Sequence, residues 1–266
     1  MREDVRREFR ELFARLEDLS GRARQGEVAV SAFLSPRERH YAEGYLRQLG
    51  VSFYAYGGYE DAERNRLYLL PEYIEPTEGA SFAEDLGVYG FTTDITALEI
   101  RGSGYRALTH RDFMGSLLAL GLQRTVIGDI CADTESYRAV VFCDSTMAPF
   151  ICGELERVGN DRVKLRELSP DQLMLPERRY ATVTDTVASP RLDGVIAALC
   201  GLSRDRAAQT VTSGMVEMNF ESEERPDRTV EEGALLSVRG VGRFRIESLS
   251  EQTKKGRLRL LAKRYL

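Results

Sequence analysis

The sequence predicts a mixed α+β protein in three parts, and three observations carry that prediction. Apolar residues recur at helical spacing in some stretches and alternate with polar ones in others, so both kinds of element are present. Proline-bearing polar stretches at 71–76 and 169–188 interrupt these patterns. At 266 residues the chain exceeds the roughly 100 to 200 residues of a usual single domain, so more than one core is expected. The parts so defined are 1–76, 77–170 and 182–266.

In the first part, Val5, Phe9, Leu12, Phe13, Leu16 and Leu19 form one apolar stripe on a charged helix over 3–19. Ser35-Pro36-Arg37-Glu38 reads as a capping box with proline at the first helical position, opening a helix that ends at Gly50. Val51, Phe53 and Ala55 then alternate with Ser52, Tyr54 and Tyr56 as a strand, which Gly57-Gly58 stops. These elements make a small α/β unit.

The middle part reads strand 95–101, helix 111–120, strand 126–132, strand 137–143, helix 146–157 and strand 162–168. That βαββαβ order predicts a split-βαβ sandwich like the fold of RNA-recognition (RRM) domains. The strand Tyr137-Arg138-Ala139-Val140-Val141-Phe142 lacks the Gly-aromatic pattern with which such domains stack bases, so fold alone does not assign RNA binding. Stretch 169–188, with Pro170, Pro176 and several threonines, is predicted as a linker.

In the last part Leu192, Val195, Ile196 and Leu199 mark the core face of one helix, and Ser203 is placed to cap the next. On that second helix Ala207, Ala208 and Val211 share one face while Arg206, Gln209 and Ser213 share the opposite one. Taken alone, such a polar row is what any solvated helix face shows. A glycine-punctuated basic strand pair follows at 237–244.

Hydrophobic content of 42% and charged content of 30% fit a globular protein rather than a disordered or membrane one. No apolar run is long enough to span a bilayer and the N-terminus lacks a signal-peptide pattern, so a cytoplasmic location without a membrane partner is expected. Cys131, Cys143, Cys152 and Cys200 show no Cys-x-x-Cys spacing and only His40 and His110 could join them, so buried thiols are expected rather than a metal. The net charge of −5 argues against a polyanionic partner only if charge is evenly spread. Over 239–266 it is not: Arg239, Arg243, Arg245, Lys254, Lys255, Arg257, Arg259, Lys263 and Arg264 face only Glu247 and Glu251, and a local basic end matters more to a polyanion than the sum.

No esterase Gly-x-Ser-x-Gly, phosphate-loop Gly-x-x-x-x-Gly-Lys or zinc-binding His-Glu-x-x-His occurs. His110-Arg111-Asp112 opens like a kinase catalytic loop, but the glycine-rich loop, Asp-Phe-Gly and metal-binding Asn are missing. Asp112 is better read in the first turn of a helix, where a carboxylate complements the dipole. Asp129, after Gly128, is expected to fix a turn. A protein without a chemical step, a cofactor or a small-molecule substrate is therefore expected.

One resemblance is long and multi-part. Arg191-Leu192-Asp193, Ser203-Arg204 with Ala207-Ala208, Gly214-x-Val216-x-x-Asn219, Pro226, Val230-x-x-Gly233 and Ser237-x-Arg239-Gly240 together resemble an S4 domain, a small RNA-binding module. The resemblance implies that Arg191, Ser203, Arg204, Arg206, Gln209 and Ser213 face RNA phosphates and riboses, and that Asn219 shapes the adjoining β-turn. Arg239, Arg243, Lys254, Lys255 and Arg257 extend that basic surface. Glu217 stands where S4 domains often carry Lys or Arg and would repel a phosphate, which predicts a strand facing away from RNA or weaker binding. Ala234 replaces a common Asp and reads as a turn variation.

With Gly57-Gly58-Tyr59 before Ala62-Glu63-Arg64, Thr109 to Gly115, and Gly121-Leu122-x-Arg124-x-x-Ile127-Gly128-Asp129-Ile130, nearly the whole chain resembles the YlmH family of S4-domain proteins. The resemblance implies binding to ribosomal RNA of the large subunit and to peptidyl-tRNA, in rescue and quality control of stalled translation. Arg111 and Arg124 are candidates for a secondary RNA contact. Two other classes stay open: an S4-bearing RNA-modifying enzyme of the pseudouridine synthase kind, and a cell-division interaction protein docking through its amphipathic first helix. Against the enzyme, the one Arg-Leu-Asp lies in the S4-like helix and the preceding residues form two small units.

Overall fold

The computed structural model describes residues 3–74, 82–176, 180–249 and 256–265. Helix occupies 33% of the chain and strand 31%, which bears out the α+β class. The chain divides into two compact units, Met1–Pro176 and Glu177–Leu266.

In the first unit the N-terminal stripe forms helices α1 (Glu3–Glu8) and α2 (Arg10–Arg24), broken at Phe9, so the helical segment runs further than 3–19. Strand β1 (Ala29–Val30) precedes α3 (Pro36–Leu49), followed by β2 (Phe53–Tyr56) and β3 (Arg66–Leu69). The capping box forms as the sequence predicts. The Glu38 amide donates to Ser35 Oγ at 3.3 Å and the Ser35 amide to Glu38 Oε2 at 2.7 Å, while Gly50 takes the left-handed conformation at φ 66° that ends the helix. Replacing Ser35 with Ala removes one acceptor and is expected to cost about 1 kcal/mol, read as a lower denaturant midpoint at unchanged slope. Leu16, Leu46, Leu67 and Leu69 are fully buried where the helices meet the β1-β3-β2 sheet.

Helix α4 (Phe82–Val88), which no sequence pattern marked, stacks Phe82 on Tyr54 at 4.1 Å. Then come β4 (Ile95–Arg101), α5 (His110–Ala119), β5 (Ile127–Asp133), β6 (Arg138–Asp144), α6 (Ala148–Glu154), the short hairpin β7 (Arg157–Val158) and β8 (Asp161–Arg162), and β9 (Lys164–Leu168). Helix 146–157 of the prediction shortens to α6, because the residues after Glu154 turn into that hairpin. The four-stranded sheet is antiparallel in the order β5-β6-β4-β9. Leu98, Ile100, Val141 and Cys143 carry α5 and α6 on one face, and Val140, Phe142 and Leu168 point to the other. At the N-terminus of α5, Asp112 accepts the Thr109 amide at 2.8 Å, and that bond holds its carboxyl below the usual range.

Asp129 is not in a turn. It lies in β5 beside a register shift between Ile127 and Ile130, a bulge that re-aims the side chain. Its carboxylate accepts from the Tyr59 hydroxyl at 2.7 Å, the Glu63 amide at 2.7 Å and the Arg64 amide at 3.0 Å. The motif residues of 57–64 and 127–130 therefore meet. A Cβ on Gly58, at φ 103°, would lie 2.4 Å from the Phe142 ring, so only glycine fits there.

In the second unit the stretch expected to be a linker is in part a strand. Within the predicted linker, β10 (Tyr180–Val187) pairs antiparallel with the C-terminal strand β15 (Leu258–Tyr265) over eight residues. The threonines that made 182–186 look loop-like are β-branched and suit a half-exposed strand. Between them lie α7 (Leu192–Cys200), α8 (Arg204–Thr212), β11 (Val216–Met218), β12 (Glu221–Ser222), β13 (Leu235–Val238) and β14 (Gly242–Ser248). The sheet runs β10-β15-β14-β13-β11-β12. One face holds Leu236, Val238, Phe244, Ile246, Leu260 and Ala262, packed against Leu192, Ile196, Ala207 and Val211 of the two helices.

The four cysteines form no disulfide, and only Cys143 is buried as expected; burial pushes its thiol up to about 12, while Cys152 on α6 is exposed. No helix of the described residues is long and apolar enough to cross a membrane.

Candidate nucleic-acid interface

The helix layer of the second unit gathers the first group of predicted residues. Arg191 immediately precedes α7, whose first amides are taken by a strap from the following loop: Leu192 donates to the Arg228 carbonyl at 2.8 Å and Asp193 to that of Pro226 at 2.9 Å. Val230 donates to the Pro190 carbonyl at 2.8 Å. Pro226 and Val230 thereby fix the N-terminus of α7 and the backbone of Arg191.

Asp193, 5% exposed, is the joint of this layer. Arg191 Nη2 reaches its Oδ2 at 3.0 Å, Arg204 Nε reaches the same oxygen at 3.4 Å, and the Gly194 amide donates to Oδ1 at 2.7 Å. Burial works to raise the carboxyl, but the two guanidiniums and the amide hold it below the usual range. Arg191, at the N-cap of α7, and Arg204, at the start of α8, are thus forks set on one buried carboxylate, with side chains 43% and 56% exposed. Each keeps outward-facing donors, as a planar guanidinium can.

Helix α8 shows the predicted division: Ala207 and Val211 are buried while Arg206, Gln209 and Ser213 are exposed. Ser203 caps it, its hydroxyl accepting the Arg206 amide at 3.4 Å. Ser213 donates to the Thr210 carbonyl at 3.0 Å. Asn219 adopts φ 52° and closes a turn, its Oδ1 accepting the Leu235 amide at 2.9 Å. The hydroxyl of Ser203 and the amide oxygen of Asn219 are therefore committed to local structure.

The remaining predicted residues are not all on that layer. Arg239 sits in the exposed turn between β13 and β14, its amide bonded to the Met215 carbonyl at 3.0 Å just past α8. Arg243 lies on the sheet face away from the helices, in one row with Ser237 and Glu217. Glu217 thus does not confront the arginines of the helix layer. Arg243 lies over the Tyr265 ring at 5.0 Å, Lys263 over Tyr180 at 5.7 Å, and the two rings meet edge to face at 5.2 Å. Arg257 Nε donates to Thr186 Oγ1 at 2.9 Å. Lys254 and Lys255 lie outside the described residues. Arg111 and Arg124 are exposed but belong to the first unit.

Reasoning from sequence missed Asp193 as the joint, although an acid two residues after Arg191 was its signal. It also missed Tyr180 and Tyr265, which only strand pairing between residues far apart in sequence brings together. Among the described residues no group of three or more His, Cys, Asp or Glu could hold a metal ion.

Two family models match the chain: "YlmH, N-terminal" over residues 8–74 and "Putative RNA-binding domain in YlmH" over residues 92–172. A curated relative from Bacillus subtilis (strain 168), named ribosome-associated protein quality control protein P2, is 31% identical over 241 residues, covering 90% of this chain and 88% of its own. A solved structure titled cell division protein ylmH from Streptococcus pneumoniae matches with a TM-score of 0.50 at 18% identity, over 64% of this chain and 94% of that one. At that identity the likeness concerns the fold alone.

Proposed function

The chain belongs to the YlmH family, and from that premise we propose that it is a ribosome-associated RNA-binding protein that acts without a chemical step. The observation that carries the proposal is the pair Arg191 and Arg204 forked on buried Asp193, beside exposed Arg206 and Gln209. An RNA backbone is recognised by several cations held at once, and guanidiniums whose orientation is already fixed lose less freedom on binding. The name of the curated relative and the description of the matched domain support the same class.

In its finer form the proposal reads 182–266 as an S4 platform and 77–170 as an RRM-like domain following the N-terminal α/β part of 1–76. The strand order β5-β6-β4-β9 supports the second assignment, since the third strand lies between the two that a helix connects, as in a split βαβ unit. The partners are ribosomal RNA of the large subunit and peptidyl-tRNA, the setting is the rescue of stalled translation, and the location is the cytoplasm. Neither cofactor nor metal is needed for such binding.

Changing Arg204 and Arg206 together to Ala is expected to lower affinity for ribosomal RNA about ten-fold at moderate salt and to reduce the salt slope by roughly 1.5. Arg204 shares the buried Asp193 carboxylate, so the double variant should melt a few degrees lower, whereas Arg206→Ala alone, at an exposed side chain, should weaken binding with melting unchanged. Co-sedimentation with large subunits across a salt titration reads the effect; wild-type sedimentation of the variant would sink the assigned face. Conversion of a uridine in defined RNA by the purified protein would favour the enzyme instead. Capture of a division protein that survives RNase, without ribosomal RNA, would favour the interaction protein.

A further inference from the structure

The sheet face of the first unit that turns away from α5 and α6 is divided in two. At one end Val140, Phe142 and Leu168 are covered by Tyr59, Leu173 and Leu175, with Tyr59 stacked on Phe142 at 4.9 Å. At the other end the strand register sets Arg138, Arg101 and Lys164 directly abreast on β6, β4 and β9. Like charges opposite one another across strands destabilise a sheet, so this row has a cost that packing does not explain.

The next row holds what offsets part of it. Glu99, 4% exposed, accepts from Arg166 Nε at 2.9 Å and Arg138 Nη1 at 3.3 Å, with Arg101 Nη2 at 3.6 Å. The Arg166 hydrogen bond keeps its carboxyl below the usual range against the pull of burial. Asp133 lies opposite Arg138 at the edge and is engaged by the Ser136 hydroxyl and the Glu135 and Ser136 amides. Three guanidiniums thus share Glu99, Lys164 stands abreast of Arg101 in the neighbouring row, and the side chains of Arg101 and Arg166 remain 59% and 56% exposed.

We infer that this open end of the sheet, Arg101, Arg138, Lys164 and Arg166 around Glu99, binds the phosphodiester backbone of RNA without reading its bases. The face on which an RRM-like sheet would stack bases is occupied by the chain's own Tyr59, Leu173 and Leu175, and only charge remains presented. Strands about 4.8 Å apart set the three-residue row across about 10 Å, enough to meet more than one phosphate. Glu99 acts as the positioning residue, fixing guanidiniums it does not neutralise. The inference rests on the reading that the chain binds RNA, and adds a second surface in a unit separate from the Arg191 and Arg204 layer.

The test compares the full chain with Arg101→Ala/Lys164→Ala, and with Arg157→Ala/Arg162→Ala on the small hairpin as a control of equal charge. Both are measured against short oligouridine and oligoadenosine over a salt titration, in the wild-type background and in Arg204→Ala/Arg206→Ala. The sheet variant should lose about ten-fold in affinity and about 1.4 in salt slope in both backgrounds, equally for the two oligomers, while the control changes little. Losses equal to the control, or a strong preference between uridine and adenosine that the sheet variant abolishes, would overturn the inference. Loss only through the helix-layer variant would overturn it while leaving the proposed function standing. Loss only through the sheet variant would uphold the inference and overturn the Arg204 and Arg206 layer as an RNA-binding face. Unchanged melting of the sheet variant, expected because Arg101 and Lys164 are exposed, shows that affinity and not folding is being read.

Discussion

Replacing Asp193 with Ala is expected to weaken the second unit and its RNA affinity together. Its carboxylate accepts from two guanidiniums and the Gly194 amide. Hydrogen bonds to charged groups are worth about 1.5–3 kcal/mol each in protected settings. Arg191 and Arg204 are about half exposed and can turn to water, so the net loss is nearer 2 kcal/mol. For a unit of this size that corresponds to a fall of about 10 °C in its own melting transition, read by calorimetry on the full chain.

Two effects on affinity oppose each other. Removing a negative charge on the order of 7 Å from a bound phosphate relieves about 2 kcal/mol of repulsion at the effective dielectric near a protein surface, and about 1 kcal/mol once physiological salt screens it. Freeing two arginines adds an ordering cost of about 0.5–1.5 kcal/mol for each. Ordering wins, and binding should fall several-fold even though the protein has become more basic; affinity that rises would mean that Asp193 only opposes RNA. The pH dependence has a definite sign. Because the folded carboxyl lies below its unfolded value of about 3.9, the unfolded chain binds the extra proton. The stabilisation is therefore complete above about pH 4 and is lost as pH falls further. Asp193→Asn should flatten that acid-side loss.

Local pattern made much of this molecule legible. The Ser35 box, the Gly50 stop and the faces of α7 and α8 depend on neighbours within a turn or two, and they appear where spacing put them. Strand β10 was hidden because its partner lies about eighty residues on, and a polar threonine run reads as loop until β15 supplies a ladder. The same holds for the candidate sites. The row Arg206, Gln209 and Ser213 follows from helical period alone. That Arg243 faces the other side of the sheet, or that Arg101, Arg138 and Lys164 stand abreast, depends on register between strands, which single-sequence patterning does not specify.

Asp129 is the place where a motif residue has a structural task, and its removal should produce a large loss of stability in the first unit. Alanine there leaves the amides of Glu63 and Arg64 and the Tyr59 hydroxyl without their acceptor. Unmet buried amides cost about 1–3 kcal/mol each; since these are only partly buried, about 3 kcal/mol in total is expected, or a fall of about 6–12 °C for a unit of this length. Asparagine rescues little, because its NH₂ would face an amide donor where Oδ2 now accepts. Hydrogen exchange gives the local reading: the Glu63 and Arg64 amides should lose protection in Asp129→Ala while those of α3 keep theirs. Gly58→Ala attacks the same contact from the other side, driving a Cβ into the Phe142 ring at an unfavourable φ. If 57–64 is held to the sheet as one latch, the double variant should cost clearly less than the two single losses combined, since a loop already released no longer meets Phe142. Full additivity would mean two independent contacts and no latch.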